Sequence, residues 1–208
     1  MGSNTELGGP EKRAVPVTEL LTRLRNHYLD HLRSGIAEAR RQESDGQPEV
    51  LLEIGQGRIP RPYSLYRIDL LAGTAEDPKL TDFNPDSYLS FEPVKFEVGR
   101  LRAVLHPLHW NGVEFRGIGL PATWAPLQDW VLNEIDVNDE KPPGHDGLSG
   151  VIHGVTQPAL AVDSWSLSID FGSAPVGSLV GLVELLAGLD VRELDIGSFS
   201  MISPNASS

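Results

Sequence analysis

The chain has 208 residues, 40% of them hydrophobic and 22% charged, with no cysteine and a formal net charge of −12. Such a composition describes a soluble globular protein with one substantial core, and it excludes disulfides, thiolate metal sites and cysteine nucleophiles. The acidic balance argues against nucleic acid as a direct partner, because phosphate binding needs a basic surface, and no run reaches the roughly 20 apolar residues of a membrane span.

Residues 1–15 lack the apolar segment of a secretory signal and read as a flexible leader, so a cytoplasmic protein is expected. A single domain is expected over 16–202, with a flexible tail at 203–208. Between 17 and 43, Val17, Leu20, Leu21, Leu24, Tyr28, Leu32 and Ile36 recur at three- and four-residue steps, which predicts an amphipathic helix. Thr18 is its expected N-cap, ESDGQP at 43–48 its stop, and Arg23, Arg25, Arg33, Arg40 and Arg41 mark its polar face.

Short extended runs follow. EVLLEIG at 49–55, YSLYRIDLL at 63–71, SYLSFEP at 87–93 and VKFEVG at 94–99 read as strands. LRAVLHPLHW and VEFRGIGL flank Asn111-Gly112, which predicts a hairpin, with Pro107 at an edge or bulge because it lacks a backbone donor. PATWAPLQDWVLNEID at 121–136 returns to helical spacing, with Trp124, Leu127, Trp130, Val131 and Ile135 on one side. VNDEKPPGHDG at 137–147 reads as a polar loop.

In SWSLSIDFG, Trp165, Leu167, Ile169 and Phe171 alternate with Ser164, Ser166, Ser168 and Asp170, the pattern of a half-buried strand. Ser173 and Pro175 open a helix whose buried stripe is Val176, Leu179, Val180, Val183, Leu186 and Ala187, and VRELDIGSF returns as a strand. The expected fold is therefore α+β: a mainly antiparallel sheet flanked by a long N-terminal helix and by helices near 123–136 and 175–187.

Several stretches imitate reactive sites. GHDGLSGVIHG at 144–154 holds two histidines, an aspartate and a serine, yet GLSGV is not the G-x-S-x-G elbow and a loop, not a strand, precedes its serine. The expected structure is a loop and then a strand from near Leu148, with Val151 and His153 on one face. His27 and His31 are four apart on a helix, but Tyr28 stands where a metalloprotease has its glutamate, and no third ligand is indicated. His106 and His109 flank Pro107 without a recognised ligand spacing. GSAPVG at 172–177 sits where a phosphate loop belongs but has neither the P-loop ending nor the dinucleotide glycine order, so helix capping accounts for it. No catalytic residue, metal or cofactor is expected. Glu134, Asp136, Asp139, Glu140 and Asp146 crowd a helix end and its loop with Lys141 as the neighbouring cation, and such crowding is relieved by a basic partner. These five residues are the expected partner-binding set.

The closing segment WSLSIDFGSAPVGSLVGLVELLAGLDVRELDIGS resembles the strand–helix–strand ends of some bacterial immunity proteins, which neutralise toxins of polymorphic and type VI secretion systems. That resemblance implies a non-enzymatic inhibitor that binds one cognate toxin with a basic surface and occludes its active site or its substrate. The alternatives are a small hydrolase or transferase whose site assembles only in three dimensions, and an adaptor or secretion chaperone that binds through the first helix.

Overall fold

The apolar stripe of the first helix and the alternating strands of the C-terminal third meet in one hydrophobic core. The computed structural model describes residues 16–42, 46–55, 57–85, 87 and 89–199. The expected leader and tail, and residues 43–45 of the ESDGQP stop, lie outside the described residues. In chain order the elements are α1 (Val17–Gln42), β1 (Gln47–Glu53), β2 (Leu65–Gly73), β3 (Pro78–Thr81), β4 (Val94–Val98), β5 (Leu101–Leu105), β6 (Val113–Ile118), α2 (Ala125–Glu134), β7 (Gly154–Val155), β8 (Ala159–Leu160), β9 (Ser164–Asp170), α3 (Val176–Gly188) and β10 (Glu193–Gly197).

The strands form one sheet in the order β1-β2-β7-β9-β6-β10-β5-β4, with β3 added to β2 and β8 to β9. Every pairing is antiparallel except β5 with β10. The α+β architecture read from the sequence is the one observed. α1 buries Leu20, Leu21, Leu24, Tyr28, Leu29, Leu32 and Ile36, the expected stripe with Leu29 added and Val17 only partly covered. Each fully buried aliphatic side chain stabilises the fold by about 1.5–3 kcal/mol, so this face holds the helix in place more than its intrinsic propensity does. Arg40 and Arg41 occupy its last turn, where positive charge suits the helix dipole. In α2 the inward side is Leu127 and Val131, continued by Ile135 just past the helix, while Trp124 and Trp130 are partly buried against the core. α3 buries Leu182 as well as Leu179, Val183 and Leu186, which turns its inward face slightly from the expected stripe.

The sheet departs from the sequence reading in three places. The turn at Asn111-Gly112 exists, but β5 and β6 do not pair with each other. β10 lies between them, parallel to β5 through Leu194↔Ala103 and antiparallel to β6 through Leu194↔Gly117. Leu194 and Ile196 alternate with exposed Glu193 and Asp195, so inserting β10 buries two aliphatic side chains and completes two hydrogen-bond ladders. Pro107 ends β5 rather than sitting in an edge strand, and its carbonyl accepts from the Ser198 amide. A tight hairpin occurs one strand earlier, where Val98 pairs with Leu101 across Gly99-Arg100. Gly99 has φ +59, the backbone sign a two-residue hairpin turn requires. Finally, the described part of 87–93 is not a strand, although Leu89 and Phe91 pack against the core. Only Gly154–Val155 of the expected strand after Leu148 is regular.

Candidate functional site

The polar residues that matter most come from segments far apart in the chain. β2 reads as an apolar run interrupted by Arg67 and Asp69, and both interruptions point inward, at 3% and 2% exposure. Beside Asp69 lies Glu49 of β1, also buried, with φ +54. A left-handed conformation costs a residue with a Cβ about 1–2 kcal/mol, so Glu49 is held there by its partners.

Those partners form a closed network around His153, which is fully buried. Its Nε2 lies 2.9 Å from Glu49 Oε1, and its Nδ1 lies 2.9 Å from Asp69 Oδ1, an ion-pair contact without the alignment of a hydrogen bond. Glu49 also accepts from the Ser173 hydroxyl and the Ser149 amide. Asp69 accepts from the Phe83 amide at 2.6 Å and, at 3.4 Å, from the Tyr28 hydroxyl of α1. Ser173 Oγ in turn accepts from the amides of Gly150 and Val151. Burial alone pulls an imidazole toward neutrality. Here the Asp69 and Glu49 contacts outweigh it and raise His153 to about 10, so the ring is a cation at neutral pH. Burial pushes the Glu49 carboxyl up, but the His153 contact and the Ser149 and Ser173 hydrogen bonds leave it below its ordinary value.

A cationic imidazole clamped by two carboxylates cannot take a proton from a nucleophile, and the Ser173 hydroxyl is directed at Glu49 rather than at the ring. The assembly is a staple joining α1, β1, β2 and the strand ends around β7 and β9. The helix capping expected of GSAPVG is not what Ser173 does: α3 has Pro175 at its N-cap with no side-chain cap hydrogen bond, and the Ser173 hydroxyl goes to Glu49 of the staple. A Cβ on Gly172, which has φ +45, would stand 2.1 Å from Cδ2 of His153, so glycine makes the space the imidazole occupies.

A second hub shares Glu49. The Arg67 guanidinium donates to the carbonyls of Ile135 (2.7 Å), Asp136 (2.7 Å) and Glu49 (2.6 Å), and pairs with the Asp139 carboxylate. Glu49, Asp136 and Asp139 all have positive φ, so three strained non-glycine residues converge on one buried cation. This explains why a proline-rich loop has a defined path.

The five crowded carboxylates are thereby separated by function. Asp136 is buried and accepts from the amides of Glu140 and Lys141. Glu134 accepts from Ser178 of α3, and Asp146 pairs with Arg33 of α1 at 2.7 Å, which holds its carboxyl below the usual range. The Asp139 side chain is 67% exposed although paired with Arg67, and Glu140 is exposed. Within GHDGLSGVIHG, His145 is exposed, Ser149 contributes its amide to Glu49, and His153 is the centre of the staple. His27 contacts the Ser87 carbonyl, and His106 pairs with Asp195 on the outer sheet face. No group of three or more histidines and carboxylates arranged to hold a metal occurs among the described residues.

A groove of about 570 Å³ opens beside the staple. The loop before β2 supplies Ile54, Ile59 and Tyr63, and β7 and β9 supply Val155, Ile169 and Asp170. Asp170 lies on the same cross-strand row as Gly154 and Tyr66. Burial raises Asp170; the His153 cation opposes this and the Asp69 and Asp82 carboxylates reinforce it, leaving it at about 7.

Among the described residues no helix is long and apolar enough to cross a membrane. No protein-family model, curated protein or solved structure matches the chain.

Proposed function

We propose that this is a non-enzymatic acidic binding protein that neutralises a basic protein partner by covering it, in the manner of the toxin-immunity proteins its C-terminal segment resembles. The observation that carries the reading is a set of exposed aliphatic side chains at one end of the sheet. Ile118 of β6, Leu160 of β8 and Val162 of the following turn are 41%, 61% and 99% exposed. The register places Ile118 and Leu160 at the same end of β9, Ile118 opposite Ser164 on the outer face and Leu160 opposite the buried Trp165 on the other. Exposed aliphatic anchors surrounded by polar strand positions are how a protein interface obtains most of its affinity.

The charge balance supports a basic partner. Arg25, Arg33, Arg40, Arg67, Arg102 and Arg192 each have intramolecular acceptors, so much of the positive charge is committed within the fold of a chain with net charge −12. Rim carboxylates such as Glu140 would steer association, and the aliphatic end would set dissociation.

The experiment measures binding to the product of the neighbouring reading frame and protection of cells that express it. Leu160→Asp with Val162→Asp is expected to speed dissociation at least about tenfold, and Glu140→Lys to slow association, each with an unchanged melting temperature. Absence of binding and protection by the unaltered chain, or an undiminished complex with the double variant, overturns the reading.

A further inference from the structure

The groove beside the staple is a distinct feature, away from the apolar end of the sheet, and its chemistry selects a ligand class. Its volume of about 570 Å³ is that of a small-molecule site. Exposed Ile54 and partly buried Ile59 give it an aliphatic wall and Tyr63 and Tyr66 add aromatic surface, while the buried Leu65, Val155 and Ile169 lie beneath, on the opposite sheet face from Tyr66, Gly154 and Asp170. Among the described lining residues there is no lysine or arginine, and the ionisable carboxyl is that of Asp170.

The sheet register arranges the recognition elements. Tyr66, Gly154 and Asp170 lie opposite one another on β2, β7 and β9. Gly154 has no side chain to separate its neighbours, and a Cβ there would stand 3.1 Å from Cδ2 of Tyr66, so the tyrosine ring leans across the glycine in the row that ends at Asp170. A carboxylate and an aromatic ring in one row above an aliphatic wall complement a positive group on an apolar body. An anion would instead meet Asp170 backed by Asp69 and Asp82.

We propose that this groove binds a small organic cation, a primary ammonium on an apolar body, with the ammonium at Asp170 and the body against Tyr63, Tyr66 and the aliphatic wall. The groups facing Asp170 are His153 from the strand end before β7, Asp69 and Tyr66 from β2, Asp82 beyond β3 and Tyr28 from α1. Among them His153 is the cation, and it is committed to Glu49 and Asp69. Because Asp170 titrates near 7 while an alkylammonium stays charged to well above that, affinity should rise from about pH 6 to about pH 8.

Calorimetric titration of the full chain with 2-phenylethylamine, 2-phenylethanol and phenylacetate tests this, because the three share one body and differ in head group. The amine is expected to bind at least about tenfold more tightly than the alcohol, with the carboxylate weakest. Asp170→Asn should abolish the preference for the amine. If that variant does not fold, Ile54→Arg decides, since Ile54 is 46% exposed at the groove and an added cation there should weaken the amine at least about fivefold while leaving melting unchanged. Equal binding of the three probes, no saturable amine binding at about millimolar concentration, an amine preference that survives in folded Asp170→Asn, or amine affinity unchanged in Ile54→Arg overturns the proposal.

Discussion

Two imidazole–carboxylate pairs in this molecule share a geometry and differ in setting. His153 and Glu49 are 2.9 Å apart with side chains 0% and 1% exposed, and His106 and Asp195 are 3.0 Å apart with side chains 27% and 54% exposed. Two unit charges 4 Å apart interact by about 1 kcal/mol in water and about 4 kcal/mol at the effective dielectric near a protein surface, so distance alone does not rank the pairs. The buried pair cannot exchange its partners for water. Its removal leaves charges stranded, whereas the exposed pair is replaced by hydration.

The strongest way to break the contrast is His153→Leu, which leaves Glu49 and Asp69 buried without their cation. The expected loss is about 3–5 kcal/mol in chemical denaturation. Gly172→Ala should approach it by another route, because the added methyl displaces the imidazole. Adding Glu49→Gln and Asp69→Asn to His153→Leu should recover part of the loss. A His153→Leu variant as stable as the parent would show that the staple does not hold the fold together.

A pH series sharpens the same contrast with a smaller effect. The His153 value is raised from 6.5 in the unfolded chain to about 10, so its stabilisation is complete below 6.5 and is lost as pH rises toward and through 10. Asp170, raised from 3.8 to about 7, changes stability below that value, and Tyr28, raised by burial, changes it above its ordinary 10. Between about pH 7.5 and 9.5 the slope therefore belongs mainly to His153, and stability should fall by about 1.4 kcal/mol per pH unit. The triple variant His153→Leu, Glu49→Gln, Asp69→Asn, which removes the cation together with the carboxylates it holds down, should be flat over that window, and a parent protein equally flat would contradict the imidazolium assignment.

The smallest effect is expected at the surface. His106→Asn should change stability by less than about 1 kcal/mol, and the change should shrink further in high salt. A loss comparable with that of His153→Leu would mean the outer pair is structurally coupled to the core.

The pattern of apolar residues determined much of this protein from its sequence: α1, the last helix, the alternation of β9 and the α+β class. Those features depend on contacts a few residues apart, and a period of 3.6 or 2 records them directly. The charged interruptions at Arg67 and Asp69 within β2 were the available sign of a buried polar hub, because a charge inside an apolar strand needs a partner. The partner's identity was not local. His153 and Glu49 are separated by 104 positions, and no spacing rule connects them. Tertiary structure alone decided that β10 enters between β5 and β6, that three crowded carboxylates turn toward Ser178, Arg67 and Arg33, and that Gly172 yields its space to an imidazole. Each depends on which segments share a low-dielectric interior, where charges must find one another because water is absent.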